Sequence, residues 1–143
     1  MTETVEELEF EAGGAVAPDE LIALRRSAGW AEVAVTDYDV REALERTWNV
    51  TVRDASGRLV ALARLLDDGV FYATLWDMLV LPEYRRRGLG SHMLSLVIER
   101  CRGRQIVSLV ATAAGRALYE RAGFAQESRG SVGMLRRQGA GDA

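Results

Sequence analysis

Hydrophobic positions follow a helical period in four stretches of this chain and alternate or run together in the others. Pro18-Asp-Glu opens the first helix, since proline suits an initial helical turn and acids complement the positive end of the dipole. Leu21, Ile22 and Leu24 form its apolar face, and Gly29 can end it. Val40, Ala43 and Leu44 predict a second helix over 39–47. Trp48, Val50 and Val52 then alternate as a strand over 48–54, Ala55-Ser-Gly57 turns the chain, and 58–66 is the hairpin partner. Asp67-Asp-Gly69 turns into a long strand, 70–81, closed by Pro82. Leu89, Met93, Leu96, Val97 and Cys101 place an amphipathic helix over 88–102. The wholly apolar run 105–110 has the character of a buried strand, and 113–122 is a helix stopped by Gly123. A short strand near 6–10 and a closing hairpin, 124–127 with 132–135, complete the pattern. A meander followed by strand–helix alternation predicts an α/β fold: a mixed, mostly antiparallel sheet of six to seven strands with helices on both faces. No repeat or linker divides the chain, so 1–143 is a single domain, with 1–17 and 138–143 partly flexible.

Composition narrows the chemistry more than the fold. The 143 residues are 48% hydrophobic and 27% charged, enough for one core and unlike a disordered tail. A net charge of −3 argues against a nucleic-acid partner, whose footprint is a basic surplus. Cys101 is the only cysteine and His92 the only histidine, which removes disulfides, cysteine metal clusters and a zinc held by several histidines. All 18 basic residues are arginine, so neither a P-loop lysine nor a Schiff-base lysine exists. Arg64 and Asp77 interrupt the longest apolar stretches, which fall short of a membrane span. The acidic start, Met1 to Phe10, is unlike a signal or transit peptide, and a reduced, cytoplasmic setting is expected.

The informative segment is Val80-Leu-Pro-Glu-Tyr-Arg85-Arg86-Arg87-Gly88-Leu89-Gly90-Ser91, between a strand and a helix. Two glycines two apart at a helix start let the backbone approach a ligand, and the unpaired N–H groups of the first turn form an anion site. Three arginines beside them add charge suited to phosphate. Neither a Walker loop nor a dinucleotide fingerprint fits, because there is no Gly-Lys-Ser/Thr and Met93 stands at the third glycine position. A helix cap with a solvated arginine run accounts for the same residues about equally well.

Arg85-x-x-Gly88-x-Gly90 after a strand ending Asp77-Met-Leu-Val80-Leu-Pro82 resembles the acyl-CoA diphosphate motif of the GNAT N-acetyltransferase superfamily. Leu118-Tyr-Glu-Arg-Ala-Gly-Phe124 resembles its second signature, in the right order and at the right distance. The likeness covers about 18–135, and Thr74-Leu-Trp-Asp-Met-Leu-Val80 with Gly133-Met134 is most similar to plant and cyanobacterial serotonin or protein N-acetyltransferases. The resemblance implies acetyl-CoA as co-substrate, no metal, and direct attack by a primary amine in a ternary complex. It implies that Met78, Leu79 and Val80 hold the pantetheine arm with backbone groups. Arg86 to Ser91 would wrap the diphosphate, with arginine side chains helping to neutralise it, and the thioester would pass between strands 70–81 and 105–110. Tyr119 matches the tyrosine that protonates the departing thiolate. Relatives are often dimers, so a homodimer is admitted.

The base and the acceptor site are left to the residues themselves. If strand 70–81 alternates simply, Asp77 shares a face with Phe71, Ala73, Leu75, Leu79 and Leu81, where a carboxylate's pKa is raised and it can accept a proton. A bulge in this strand would upset that alignment, and a satisfied structural carboxylate is the other reading. Trp30, Tyr38, Phe71 and Trp76 are candidate acceptor walls, together with the loop 29–39, while Asp37, Asp39, Asp67 and Asp68 offer charge for a cationic amine. A small amine is favoured as acceptor. A protein N-terminus or lysine is the alternative, and a CoA-binding module without turnover is a third reading.

Overall fold

A computed structural model describes residues 7–30, 36–127 and 129–138. Five strands form one sheet: β1 (Glu9–Ala12), β2 (Trp48–Arg53), β3 (Leu59–Asp67), β4 (Tyr72–Val80) and β5 (Ile106–Leu109). They lie in sequence order, antiparallel from β1 to β4, with β5 parallel to β4. Helices α1 (Pro18–Ser27), α2 (Asp37–Glu45), α3 (Leu89–Arg100) and α4 (Arg116–Arg121) pack around it. Residues 59–63 of β3 are all buried, which requires cover on both faces, and β3 is accordingly the apolar run of a central strand. Arg25 of α1 reaches the β3–β4 face that bears Arg64, so α1 and α2 lie there and α3 covers the other face. α2 starts at Asp37, before the expected 39, because Thr36 and Asp39 cap it reciprocally: the Asp39 N–H donates to Thr36 Oγ1 at 3.1 Å and the Thr36 N–H to Asp39 Oδ2 at 3.0 Å.

Two expectations are corrected. The sheet has five strands among the described residues, because 124–127 and 132–135 do not pair. Val132, Met134 and Leu135 are exposed, and four-residue arms, one holding Gly133, form too small a hairpin to persist without a buried face. The first strand runs Glu9–Ala12, later than 6–10.

Asp67 and Asp68, expected to face an acceptor, end β3 and open the turn to β4. Asp68 Oδ1 accepts the N–H groups of Val70, Phe71 and Tyr72. Asp67, its side chain 4% exposed, takes a two-pronged bond from Arg104 at 2.7 and 2.9 Å, with Arg100 at 3.4 Å. That clasp joins the β3–β4 turn to the connection between α3 and β5, so it holds the start of the β4–β5 pair. The Arg104 hydrogen bonds lower the Asp67 pKa to about 2, against a usual value near 3.9. Stability from this group is therefore fully present above about pH 4 and is lost as pH falls towards 2. Asp67→Asn should cost about 1–2 kcal/mol at pH 7, with the gap to the parent closing below pH 4, as read by urea unfolding at stepped pH.

Candidate active site

β4 and β5 pair from Tyr72·Ile106 to Leu75·Leu109, and there the pairing ends. At the same level the β3–β4 register shifts: Leu65 faces Leu75 and Ala63 faces Met78, so Trp76 and Asp77 together oppose Arg64. β4 therefore carries a bulge of one extra residue where its parallel neighbour leaves it. Beyond the bulge β4 is held only by β3. The Leu81 N–H donates to the Val60 carbonyl at 2.9 Å, so by strand alternation Leu79 and Leu81 turn their polar groups to β3. Met78 and Val80 turn theirs to the open side. Of the three residues expected to hold a pantetheine arm, these two present backbone groups to the gap, and Leu79 does not. The Val80 carbonyl is already met from that side by Arg85 Nε at 3.2 Å.

A 3-10 turn, Pro82–Tyr84, leads from β4 into the arginine run. Arg86 has a positive φ of 63°, uncommon for a side chain-bearing residue, and Gly88 caps α3 in the left-handed conformation at φ 81°. The N–H groups of Leu89, Gly90 and Ser91 have no acceptor within the helix, whose first internal bond runs from His92 to the Gly88 carbonyl at 3.1 Å. Acids occupy the first turns of α1 and α2, whereas α3 has none in its own. Its positive pole is thus left uncompensated and faces an exposed arginine run. The two glycines serve different ends. Gly88 is required by its φ, with open space where a Cβ would point, while a Cβ on Gly90 would lie 3.1 Å from Leu118 Cδ2. Gly90 therefore lets α4 close onto the first turn of α3, bringing the two sequence motifs together.

Tyr119 is next to that contact. Its ring is half-buried and meets Phe124 edge-on at 6.1 Å, and the Phe124 N–H donates to the Tyr119 carbonyl at 3.0 Å. No hydrogen bond engages its hydroxyl among the described residues. Burial raises the phenol's pKa above its ordinary value near 10, so the group keeps its proton. His92 is exposed and stacks on Phe10 at 3.9 Å. Cys101 is buried, and that burial pushes its thiol up, which suits a core residue and not a nucleophile.

The bulge parts Asp77 from Ala73 and Leu75, with which simple alternation would align it, and leaves Leu79 and Leu81 on its face. The bulge aims it, with Arg64, at α1. Arg25 Nη1 donates to its two oxygens at 3.1 and 3.3 Å, and Arg64 Nη1 donates to Oδ2 at 2.6 Å. The carboxylate is 5% exposed. It forms the floor of an open cleft of about 510 Å³ between α2 and the β3–β4 pair, with Asp39, Glu42, Ala43, Arg46 and Thr47 on one wall and Arg64, Leu66 and Trp76 on the other. Of the four expected acceptor residues, Trp76 lines this cleft. Trp30 lies over the Arg25 guanidinium at 4.8 Å and so adjoins the Asp77 cluster. Tyr38 and Phe71 are exposed outside the lining, and residues 31–35 of the expected acceptor loop lie outside the described residues. Arg64, Glu42, Arg46 and Thr47 were missed. A lone arginine inside an otherwise apolar strand was the one available signal, but its partner depends on a register that no local pattern shows.

Comparison with known proteins identifies the family. The model of the acetyltransferase (GNAT) family matches residues 15–124. The chain is 31% identical over 145 residues to histone acetyltransferase TAP1 of Glycine max, covering 92% of this chain and 62% of that protein. It is 34% identical over 101 residues to chloroplastic serotonin N-acetyltransferase 2 of Oryza sativa subsp. japonica, covering 66% and 50%. The chain thus spans only part of the length of these curated relatives. Among solved structures, glucosamine-6-phosphate N-acetyltransferase of Arabidopsis thaliana superposes with a TM-score of 0.72 at 16% identity, over 92% of this chain and 99% of the other, a likeness of fold. A motif pair joined through Gly90 and Leu118, and a family match spanning most of the sequence, lead to one conclusion: the chain belongs to the acetyltransferase (GNAT) family.

Proposed function

We propose that this protein transfers the acetyl group of acetyl-CoA to a small primary amine bound in the cleft floored by Asp77. The observation that carries this reading is the first turn of α3, with free N–H groups, no acid to neutralise it, and Arg85 to Arg87 alongside. Such a pole suits a diphosphate. The pantetheine arm then follows the open edge of β4 past Val80 and Met78, and the thioester comes to the gap above Leu75·Leu109. Main-chain N–H groups at the β4 bulge polarise its carbonyl.

The amine reaches this point from the cleft. Its volume is that of a small-molecule site, Trp76 offers an aromatic wall, and Asp39 and Glu42 bring negative charge to a cation. An alkylammonium with a pKa near 10 must lose a proton before attack, at a cost of about 4 kcal/mol at pH 7. The lone pairs of Asp77 are largely engaged by two guanidiniums, so a water path along the open cleft takes that proton. The neutral nitrogen attacks the thioester carbon, and its surplus proton leaves by the same water path. The C–S bond breaks as the tetrahedral intermediate collapses, and the leaving thiolate takes the Tyr119 proton, which solvent restores. The relative named as a histone acetyltransferase, together with the openness of the cleft, supports a second reading in which the acceptor is a protein amine.

Tyr119→Phe should lower kcat by about 10²–10⁴-fold while the acetyl-CoA Kd stays within about twofold, measured by thiol release on an amine panel and by calorimetry. Because burial keeps the phenol protonated, its ionisation should not limit kcat below about pH 10. Gly88→Val should weaken coenzyme A binding at least about tenfold and lower stability by about 1–2 kcal/mol, since the residue sits at positive φ. Calorimetry that finds no binding of coenzyme A to the parent protein at millimolar concentration would overturn the assignment.

A further inference from the structure

The bulge in β4 occurs where the sheet is least constrained. On one side β5 has left after Leu75·Leu109, and on the other the β3 register shifts at Arg64. A bulge at such a place can migrate by a residue, and a one-residue slip turns every following side chain to the other face. Here the extra residue is tied down from two elements. Asp77 of the bulge is held by Arg64 of β3, whose guanidinium donates at 2.6 Å, and by Arg25 of α1 at 3.1 and 3.3 Å. Trp30 lies over the outer side of Arg25 at 4.8 Å.

The surroundings make this cluster costly. Asp77 and Arg64 have side chains only 5% and 14% exposed, and buried Arg64 Nε finds no acceptor. Leu62 and Leu79, on the same face by register, are fully packed, and residues like them would fill the same space without desolvating three charges. What a leucine cannot supply is direction. A carboxylate that must meet two guanidiniums from different elements admits one register of the bulge, as buried polar groups specify register elsewhere.

We propose that Arg25 and Arg64, acting through Asp77, are positioning residues that lock the β4 bulge in register and thereby aim its main-chain N–H groups at the thioester. This rests on the acetyl-transfer reading above, but the lock itself is a property of the fold and can be read without turnover. Removing one member strands a buried charge and endangers folding, so the decisive variant removes all three: Arg25→Met, Asp77→Leu and Arg64→Met together. The full chain carrying it should unfold at an equal or higher temperature than the parent. Amide hydrogen exchange at Leu79 and Leu81, whose ladder bonds to β3 depend on the register, should nevertheless be at least about tenfold faster. In the acetyl-transfer assay kcat should fall at least about tenfold, with the acetyl-CoA Kd and the acceptor KM within about threefold. Arg64→Lys, which keeps a charge for Asp77, should retain most of kcat.

Unchanged exchange at Leu79 and Leu81 in the folded triple variant would overturn the lock, whether or not the parent turns over. Parental kcat in that variant would overturn it equally. So would an Asp77→Asn variant that loses the acidic limb of its pH–rate profile while Arg25→Met and Arg64→Met keep parental kcat, since Asp77 would then act as a base on its own account. Failure of the parent to bind coenzyme A, with faster exchange still seen in the triple variant, would instead strike the acetyl-transfer reading and leave the lock standing.

Discussion

The parting of β4 from β5 is the constraint on which the rest of this molecule turns. A parallel pair that stops after four residues leaves backbone donors and acceptors in the middle of a sheet without a strand to satisfy them. Such a gap collapses unless each strand is held from elsewhere. β4 is held by its long antiparallel ladder with β3, and the beginning of the β4–β5 pair by the Asp67–Arg104 clasp. The gap is then a standing slot whose unpaired groups suit an extended, amide-bearing chain laid in like an added strand.

Charge in this protein is allotted in the same spirit. With arginine as the only strong base, each buried carboxylate can be met by a planar donor of fixed shape. Asp67 takes two prongs from Arg104, and Asp77 takes Arg25 and Arg64 from two elements. The acids of α1 and α2 answer their own helix poles, and the one long helix without an acid at its start is the one that faces the arginine run. An uncompensated pole beside three arginines, on a helix of three turns, is what sets this start apart from those of α1 and α2.

Gly90 shows how packing and site depend on each other. Its missing side chain lets Leu118 approach to within contact of the α3 first turn, and the next residue is Tyr119. The proposed diphosphate cradle and proton donor, far apart in sequence, are coupled by a helix–helix contact in which a methyl group on Gly90 would press on Leu118. That contact gives the order and spacing of the two motifs a physical meaning: each is the other's packing partner.

The amino-acid order alone determined the helices, the β2–β3–β4 meander, the glycine-bearing helix start and the tyrosine of α4, because periodicity, capping and glycine's conformational freedom act over a few residues. Tertiary structure alone decided three things. The closing hairpin stayed unpaired, because four-residue arms need a buried face that no local pattern guarantees. Asp67 and Asp68 went to a turn instead of a substrate, because their partners are an arginine 37 residues away and the turn's own amides. Asp77 parted from Ala73 and Leu75 and met two guanidiniums, because a single extra residue in β4 set it beside Arg64, and a register shift between strands is a property of the pair, invisible in either strand by itself.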